Sequence, residues 1–178
     1  RHSNPESPHV TPEKLTDSVD TLLVIDLDRN VIRTEVLAEI ISGALDAYGI
    51  SIDDIERLKK ETEASGGSFD HFATLREKYD DKVIDKVYAE VVEAVHARRD
   101  LPYEDDDCLF YRGVRELVAG SEEDGMKRVF VTRGGEESQT LKLAEVLGLD
   151  MSKELYSILS LDDKESKAEM CVKAYDQE

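Results

Sequence analysis

The sequence predicts an α/β protein: a parallel sheet, incomplete toward the C-terminal end, with helices on its faces and an all-helical block inserted directly after the first strand. Three observations carry this expectation. Short apolar runs rich in β-branched residues recur at positions 22–25, 128–131 and 156–161, the pattern of strands in a parallel sheet. Each of the later runs is followed by helical periodicity, and strand alternating with helix is how parallel sheets are built. Between 34 and 100 the periodicity is helical throughout, so the alternation is interrupted there.

Residues 1–18 are polar and hold three of the four prolines, which reads as a flexible lead-in with at most one helical turn after Thr11 and Pro12. The first strand, from Thr21 to Asp28, has no polar face in its run Leu22, Leu23, Val24 and Ile25, and so reads as buried on both sides. It ends on two acids, Asp26 and Asp28. Two residues apart in extended backbone, they would point the same way, although a loop starting here can re-aim either. A strand running out into solvated carboxylates is the plain account. The carboxyl end of a strand in an open α/β sheet is also where ligands bind, and that favours a site.

Val36, Leu37, Ile40, Ile41, Ala44, Leu45 and Tyr48 then follow helical spacing, with Gly49 as the stop. Ser51 is a capping candidate for a second helix running to about Ala64, with Asp53 and Asp54 in its first turn. After the break at positions 65–68, a shorter helix is expected over 69–79. Val83, Ile84, Val87, Tyr88, Val91, Val92 and Val95 form an apolar stripe whose period outweighs the strand preference of valine. The acidic run at 104–107 reads as a solvated linker, because adjacent carboxylates seldom converge on one cation. A helix is expected to open at Tyr111. The second strand ends in Thr132, Arg133, Gly134 and Gly135 before a helix over 136–147, stopped by Gly148. The third strand leads through 162–166 to a last helix from Lys167.

Composition narrows the function. With 41 acidic against 23 basic residues the formal charge is −18, which argues against nonspecific binding to nucleic acid or anionic membrane. An anionic substrate would need local positive charge, and Arg29, Arg33, Arg133 and Lys167 are the candidates. Cys108 and Cys171 lie far apart and the four histidines have no ligand spacing, so neither a disulfide framework nor a zinc site is expected. No apolar run is long enough to span a membrane and no signal-peptide pattern is present, which suits a cytoplasmic protein. The chain starts at Arg1 rather than Met, so a removed leader stays open.

The segment DLDRNVIRTE resembles the first motif of the haloacid dehalogenase superfamily of phosphohydrolases, DxDGT followed by an apolar pair and often by acid, Thr and Glu. Arg29 stands where that family usually has Gly, Asn30 where it has Thr, and Arg33 where Asp is frequent. RVFVTRGGEESQTLKL is similar to the second motif, an apolar strand ending in Thr or Ser, and ILSLDDKESKAEM to the third, which places a Lys just before a helix. The resemblance implies a Rossmann-like core over 19–33 and 101–178 and a helical cap over 34–100. Members with a cap at this point include phosphoglycolate phosphatase-like and β-phosphoglucomutase-like enzymes.

The resemblance also implies roles. Asp26 would be the nucleophile that takes the phosphoryl group, and Asp28 would move protons to the leaving group and from water. Both would hold Mg²⁺. Thr132 would hydrogen-bond a phosphoryl oxygen, with Arg133, Gly134 and Arg29 binding substrate and the next helix N-terminus directed at its charge. Lys167, or as second choice Lys164, would neutralise Asp26 and the phosphate. Cap residues near 65–69 would face the nucleophile. Retention of Asp28 favours phosphoryl transfer over dehalogenation, and so a small phosphorylated metabolite as substrate.

The family's fourth motif, a further parallel strand ending in Gly-Asp or Asp-Asp that helps hold the metal, is not found before Glu178. Asp162 and Asp163 imitate it but fit better as the loop before Lys167. The sequence therefore reads as a truncated chain, a fragment completed by another chain, or a degenerate member. A catalytically weak binding or regulatory protein that kept the fold is the alternative to an active phosphatase.

Overall fold

The computed structural model describes residues 22–66, 69–123, 127–159 and 169. Strand β1 (Leu22–Asp26) pairs in parallel with β2 (Lys127–Arg133), and β2 with β3 (Leu155–Leu159), in the order β1-β2-β3. The register aligns Asp26 with Val131 and Thr132 with Ile158. Asp26 and Thr132 thus reach the same, carboxyl edge of the sheet. The central strand is buried from Arg128 to Thr132, as its unbroken apolar run requires. It is longer than its apolar residues alone suggest, because pairing on both sides draws Lys127, Thr132 and Arg133 into it.

Burial on both sides does not hold for β1. Ile25 is buried but Val24 is 37% exposed. Alternation along the strand explains the difference. Ile25 joins Phe130 in the large core, whereas Val24 lies on the face of Val129 and Val131, whose cluster adds only Leu159 and Leu155.

Among the described residues five helices lie between β1 and β2, the first four being α1 (Thr34–Ala47), α2 (Ile52–Ala64), α3 (His71–Lys78) and α4 (Asp81–Arg98). Helix α1 starts after Arg33 without a side-chain cap, whereas the starts of α2, α3 and α4 follow from one. Ser51 accepts the N–H of Asp53, Asp70 that of Ala73, and Asp80 that of Lys82, each contact satisfying one of the orphan donors of a helix start. Capping by Asp70 is also why α3 begins at His71 and not at Phe69. The valine stripe is a helix as its period predicts: Ile84, Val87, Val91 and Val95 are fully buried, each burial stabilising by roughly 1.5–3 kcal/mol. They share one core with Val36, Leu37 and Ile40 of α1 and with Ile25 and Phe130 of the sheet.

The next helix, α5 (Val114–Glu123), starts later than Tyr111. Phe110 instead bridges Ile32 in antiparallel fashion, the N–H of Tyr111 donates to the carbonyl of Val31, and Gly113 turns with φ 87°. After β2, helix α6 (Glu136–Thr140) runs into a π-helical stretch, Leu141–Val146. Arg76 of α3 ties the helical block to α6 through both carboxylate oxygens of Glu137, at 3.0 and 2.7 Å. His96 of α4 meets Glu145 at 2.6 Å.

Candidate functional site

At the tip of β1 the chain turns tightly. The carbonyl of Leu27 accepts both the Val31 and the Ile32 N–H at 3.0 Å, and the Arg29 N–H returns to the carbonyl of Ile32 at 3.2 Å. Closing so short a loop puts Arg29 at φ 61°, a left-handed conformation that costs any residue with a Cβ. The loop also separates the two acids. Asp26 accepts the side-chain amide of Asn30 at 3.1 Å, while Asp28 accepts the ammonium of Lys142 at 2.6 Å.

Lys142 was not singled out from the sequence. Its side chain is 13% exposed against 32% for Asp28, and an ammonium so enclosed needs an opposite charge. It belongs to the π-helical stretch, where the Leu147 N–H reaches the Lys142 carbonyl at 2.9 Å, and such wider turns are frequent at functional sites. The available signal was spacing: Lys142 follows Gln139 by three residues, hence on one helix face, and Gln139 is also buried.

Thr132 reaches the sheet edge as expected, yet its hydroxyl is fully buried and donates to the Gln139 side-chain carbonyl at 2.5 Å. Gly134, at φ 152°, has the side chain of Gln139 where a Cβ would stand, 2.4 Å from Nε2. Its N–H donates to the Leu159 carbonyl at 3.0 Å and so serves the sheet. Gly135 is pressed equally closely by the carboxylate of Asp70. The N-terminus of α6 carries Glu136 and Glu137 in its first turn, so its dipole already faces acid. Arg29 is exposed. Arg33 is committed elsewhere, to Glu35 at 3.1 Å and to the carbonyls of Asp105 and Cys108; the Glu35 backbone N–H first, then Arg33 and more distantly Arg29, hold the Glu35 carboxyl below its ordinary range against slight burial. Lys164, Lys167, Asp162 and Asp163 lie outside the described residues.

Beside this edge is a cavity of about 360 Å³. Its polar wall comes from the end of β2 and the segment after it, including Arg133, Gly134, Gln139 and Lys142, and its apolar wall from α1, Ile52 and Phe69. Phe69 lines this cavity, while residues 67 and 68 lie outside the described residues. Lys142 is common to the cavity and to the Asp28 contact. His71 opens on the same space, edge-on to the Phe69 ring at 4.7 Å. His71 is exposed by surface area, yet desolvation from the atoms crowding its ring, then the charges of Lys59 and Lys142, lower its pKa against the pull of Asp70.

As metal donors, Asp26 and Asp28 are hard oxygens of the right kind, and one or two carboxylates completed by phosphate and water is how Mg²⁺ is commonly held. Among the described residues no group of three or more His, Cys, Asp or Glu converges. The donor chemistry of the two acids suits Mg²⁺, but the loop gives them different partners, and one Asp28 oxygen is already engaged by Lys142.

The fold and this edge define a parallel α/β domain, Rossmann-like in its sheet, with acidic side chains at the carboxyl end of its first strand. No family model matches the chain, and no curated protein matches it. Among solved structures it is similar to a hydrolase from Pseudomonas syringae, with 20% sequence identity over 78% of this chain, 60% of that one, and a TM-score of 0.42. The chain thus spans about three fifths of that neighbour's length. A likeness at this level establishes neither a shared family nor a shared activity. Among the described residues no helix is long and apolar enough to cross a membrane.

Proposed function

We propose that this chain is a phosphohydrolase of the haloacid dehalogenase type, acting on a small phosphorylated metabolite through an aspartyl-phosphate. One observation carries the reading: the two acids at the tip of β1 have different partners, and the Lys142 that holds Asp28 also lines the adjoining cavity. Two carboxyls doing different jobs is what a covalent phosphoryl transfer with proton movement needs.

In the proposed course, an oxygen of Asp26 attacks phosphorus as the ester P–O bond breaks, and the departing alkoxide takes the proton shared in the Lys142–Asp28 pair, relayed through the Asp28 carboxyl. Asp28 then takes a proton from water as that water's oxygen attacks the phosphorus. The bond from Asp26 breaks and free phosphate leaves. Lys142 fixes the Asp28 carboxyl and offsets negative charge at the cavity mouth, part of the work the resemblance gives to Lys167. Mg²⁺ bound by Asp26 and Asp28 would supply Lewis-acid charge at the phosphoryl oxygens. Arg133 at the cavity wall and Arg29 on the loop are the candidates to receive phosphate.

Hydrolysis of p-nitrophenyl phosphate with and without Mg²⁺ tests the reading. Metal-dependent turnover is expected, lost on Asp26→Asn and reduced on the order of 10²-fold by Lys142→Met. Turnover unaffected by Asp26→Asn, or none in the folded chain, refutes it. The second reading, a binding or regulatory protein, is favoured by the Thr132 hydroxyl, which is sealed against Gln139 instead of facing the cavity.

A further inference from the structure

The cavity beside the carboxylates has two unlike walls. Arg133, Gly134 and Lys142 bring positive charge and backbone from the β2 side. Opposite them, Leu37, Ala38 and Ile41 come from one face of α1, with Ile52 and Phe69 beside them. On that second wall α1 offers only the Thr34 hydroxyl as a hydrogen-bonding group. The volume of about 360 Å³ corresponds to roughly a dozen water-sized groups.

We propose that this cavity receives the organic part of the substrate and selects alkyl or aryl monophosphates over polyol and sugar phosphates. The inference rests on the phosphohydrolase reading, which it deepens by naming the substrate class. A phosphate group directed to Arg133, Gly134 and Lys142 leaves the ester's carbon chain against Leu37, Ile41 and Phe69. A methylene there sheds water onto apolar surface and gains. A hydroxyl against Leu37, Ala38 and Ile41 gives up its water and meets only carbon there; His71 and Ser138 also line the cavity, so the discrimination is confined to the α1 face. Gln139, the remaining amide on the polar wall, already accepts the Thr132 hydroxyl. The Asp70 carboxylate, also at the rim, is held by the Ala73 N–H, and its charge disfavours phosphate there.

The matched pair propyl phosphate and glycerol 3-phosphate tests this on the full chain with Mg²⁺ present, because the two share a three-carbon skeleton. The expected kcat/KM ratio favours propyl phosphate by about 10²-fold, and hexyl phosphate is turned over better still. Ala38→Ser, at an exposed position of α1, adds a hydroxyl to the apolar wall and is expected to shrink the ratio several-fold; Ile41→Thr does the same from a more buried position. Equal rates for the pair, preference for glycerol 3-phosphate, or a ratio untouched by both variants overturns the proposal and leaves the phosphohydrolase reading standing. If no ester is hydrolysed, that reading fails by itself, and thermal stabilisation by hexylphosphonate decides this one. Stabilisation weakened by Ile41→Thr supports an amphipathic anion site, and no stabilisation overturns it.

Discussion

Replacing Arg29 by glycine is expected to stabilise the protein. The residue stands at φ 61°, where a Cβ crowds the following carbonyl at a cost of roughly 1–2 kcal/mol. Glycine removes that cost but gives the unfolded chain more freedom, worth about 0.4–1 kcal/mol against the fold. Little else changes, because the Arg29 side chain is exposed and its one recorded influence is the weakest of the effects that lower the Glu35 carboxyl. The net gain is therefore about 0–1.6 kcal/mol, centred on ~0.8 kcal/mol, which at the centre is roughly 2–3 °C in Tm for a chain of this size. Urea unfolding measures it as a higher midpoint at unchanged slope. Arg29→Ala is the control, since it loses the guanidinium but keeps the Cβ, and its stability is expected to stay within about 0.5 kcal/mol of the parent. A glycine variant no more stable than the alanine variant would refute the strain argument. Should the same glycine variant also raise KM for a phosphate ester, the loop has retained an arginine for substrate at the expense of stability, as strained residues at sites often do.

Two further outcomes follow from the same edge of the molecule. Gly135→Ala places a methyl 1.7 Å from an oxygen of Asp70 with no backbone strain, as φ is −64°; the carboxylate must leave the Ala73 N–H it caps, so a loss of about 1 kcal/mol is expected, disappearing in an Asp70→Ala background when both are measured by urea unfolding. His71 binds its proton less readily in the folded than in the unfolded chain, whose value is near 6.5, so the unfolded state takes up protons first and stability falls as pH drops below about 6.5 toward the lower folded value. His71→Gln is expected to flatten that part of the urea midpoint against pH, and an unchanged slope between about pH 7 and 5.5 would contradict the assigned shift.

The parts of the fold legible in the sequence are those where local signals and packing agree. Helix α4 is marked by its apolar period and capped by Asp80; β2 is an uninterrupted apolar run and is central. Errors arise where a distant segment decides. Tyr111 and its neighbours have helical character, but pairing with Ile32 and Val31 holds them extended until Gly113. The exposure of Val24 depends on what covers each face of the sheet, which no property of the residue itself records.

The candidate site divides in the same way. Asp26 and Asp28 are visible because two acids ending an apolar run are unusual, and Thr132 because it ends the next. Lys142 is hidden, lying between two buried leucines in a helix with other charges, and its partner is 114 positions upstream. Net charge could not have exposed it either. A total of −18 opposes a phosphate ester at long range, but at physiological ionic strength that field decays over about 8 Å. Inside that distance the balance is set by what touches the carboxylates. There an enclosed ammonium already meets one of the two acids, and Arg133 shares its cavity. The formal charge of −18 is therefore no bar to the proposed anion at this edge, since Lys142 and Arg133 act there with little screening while most of the surface charge faces solvent.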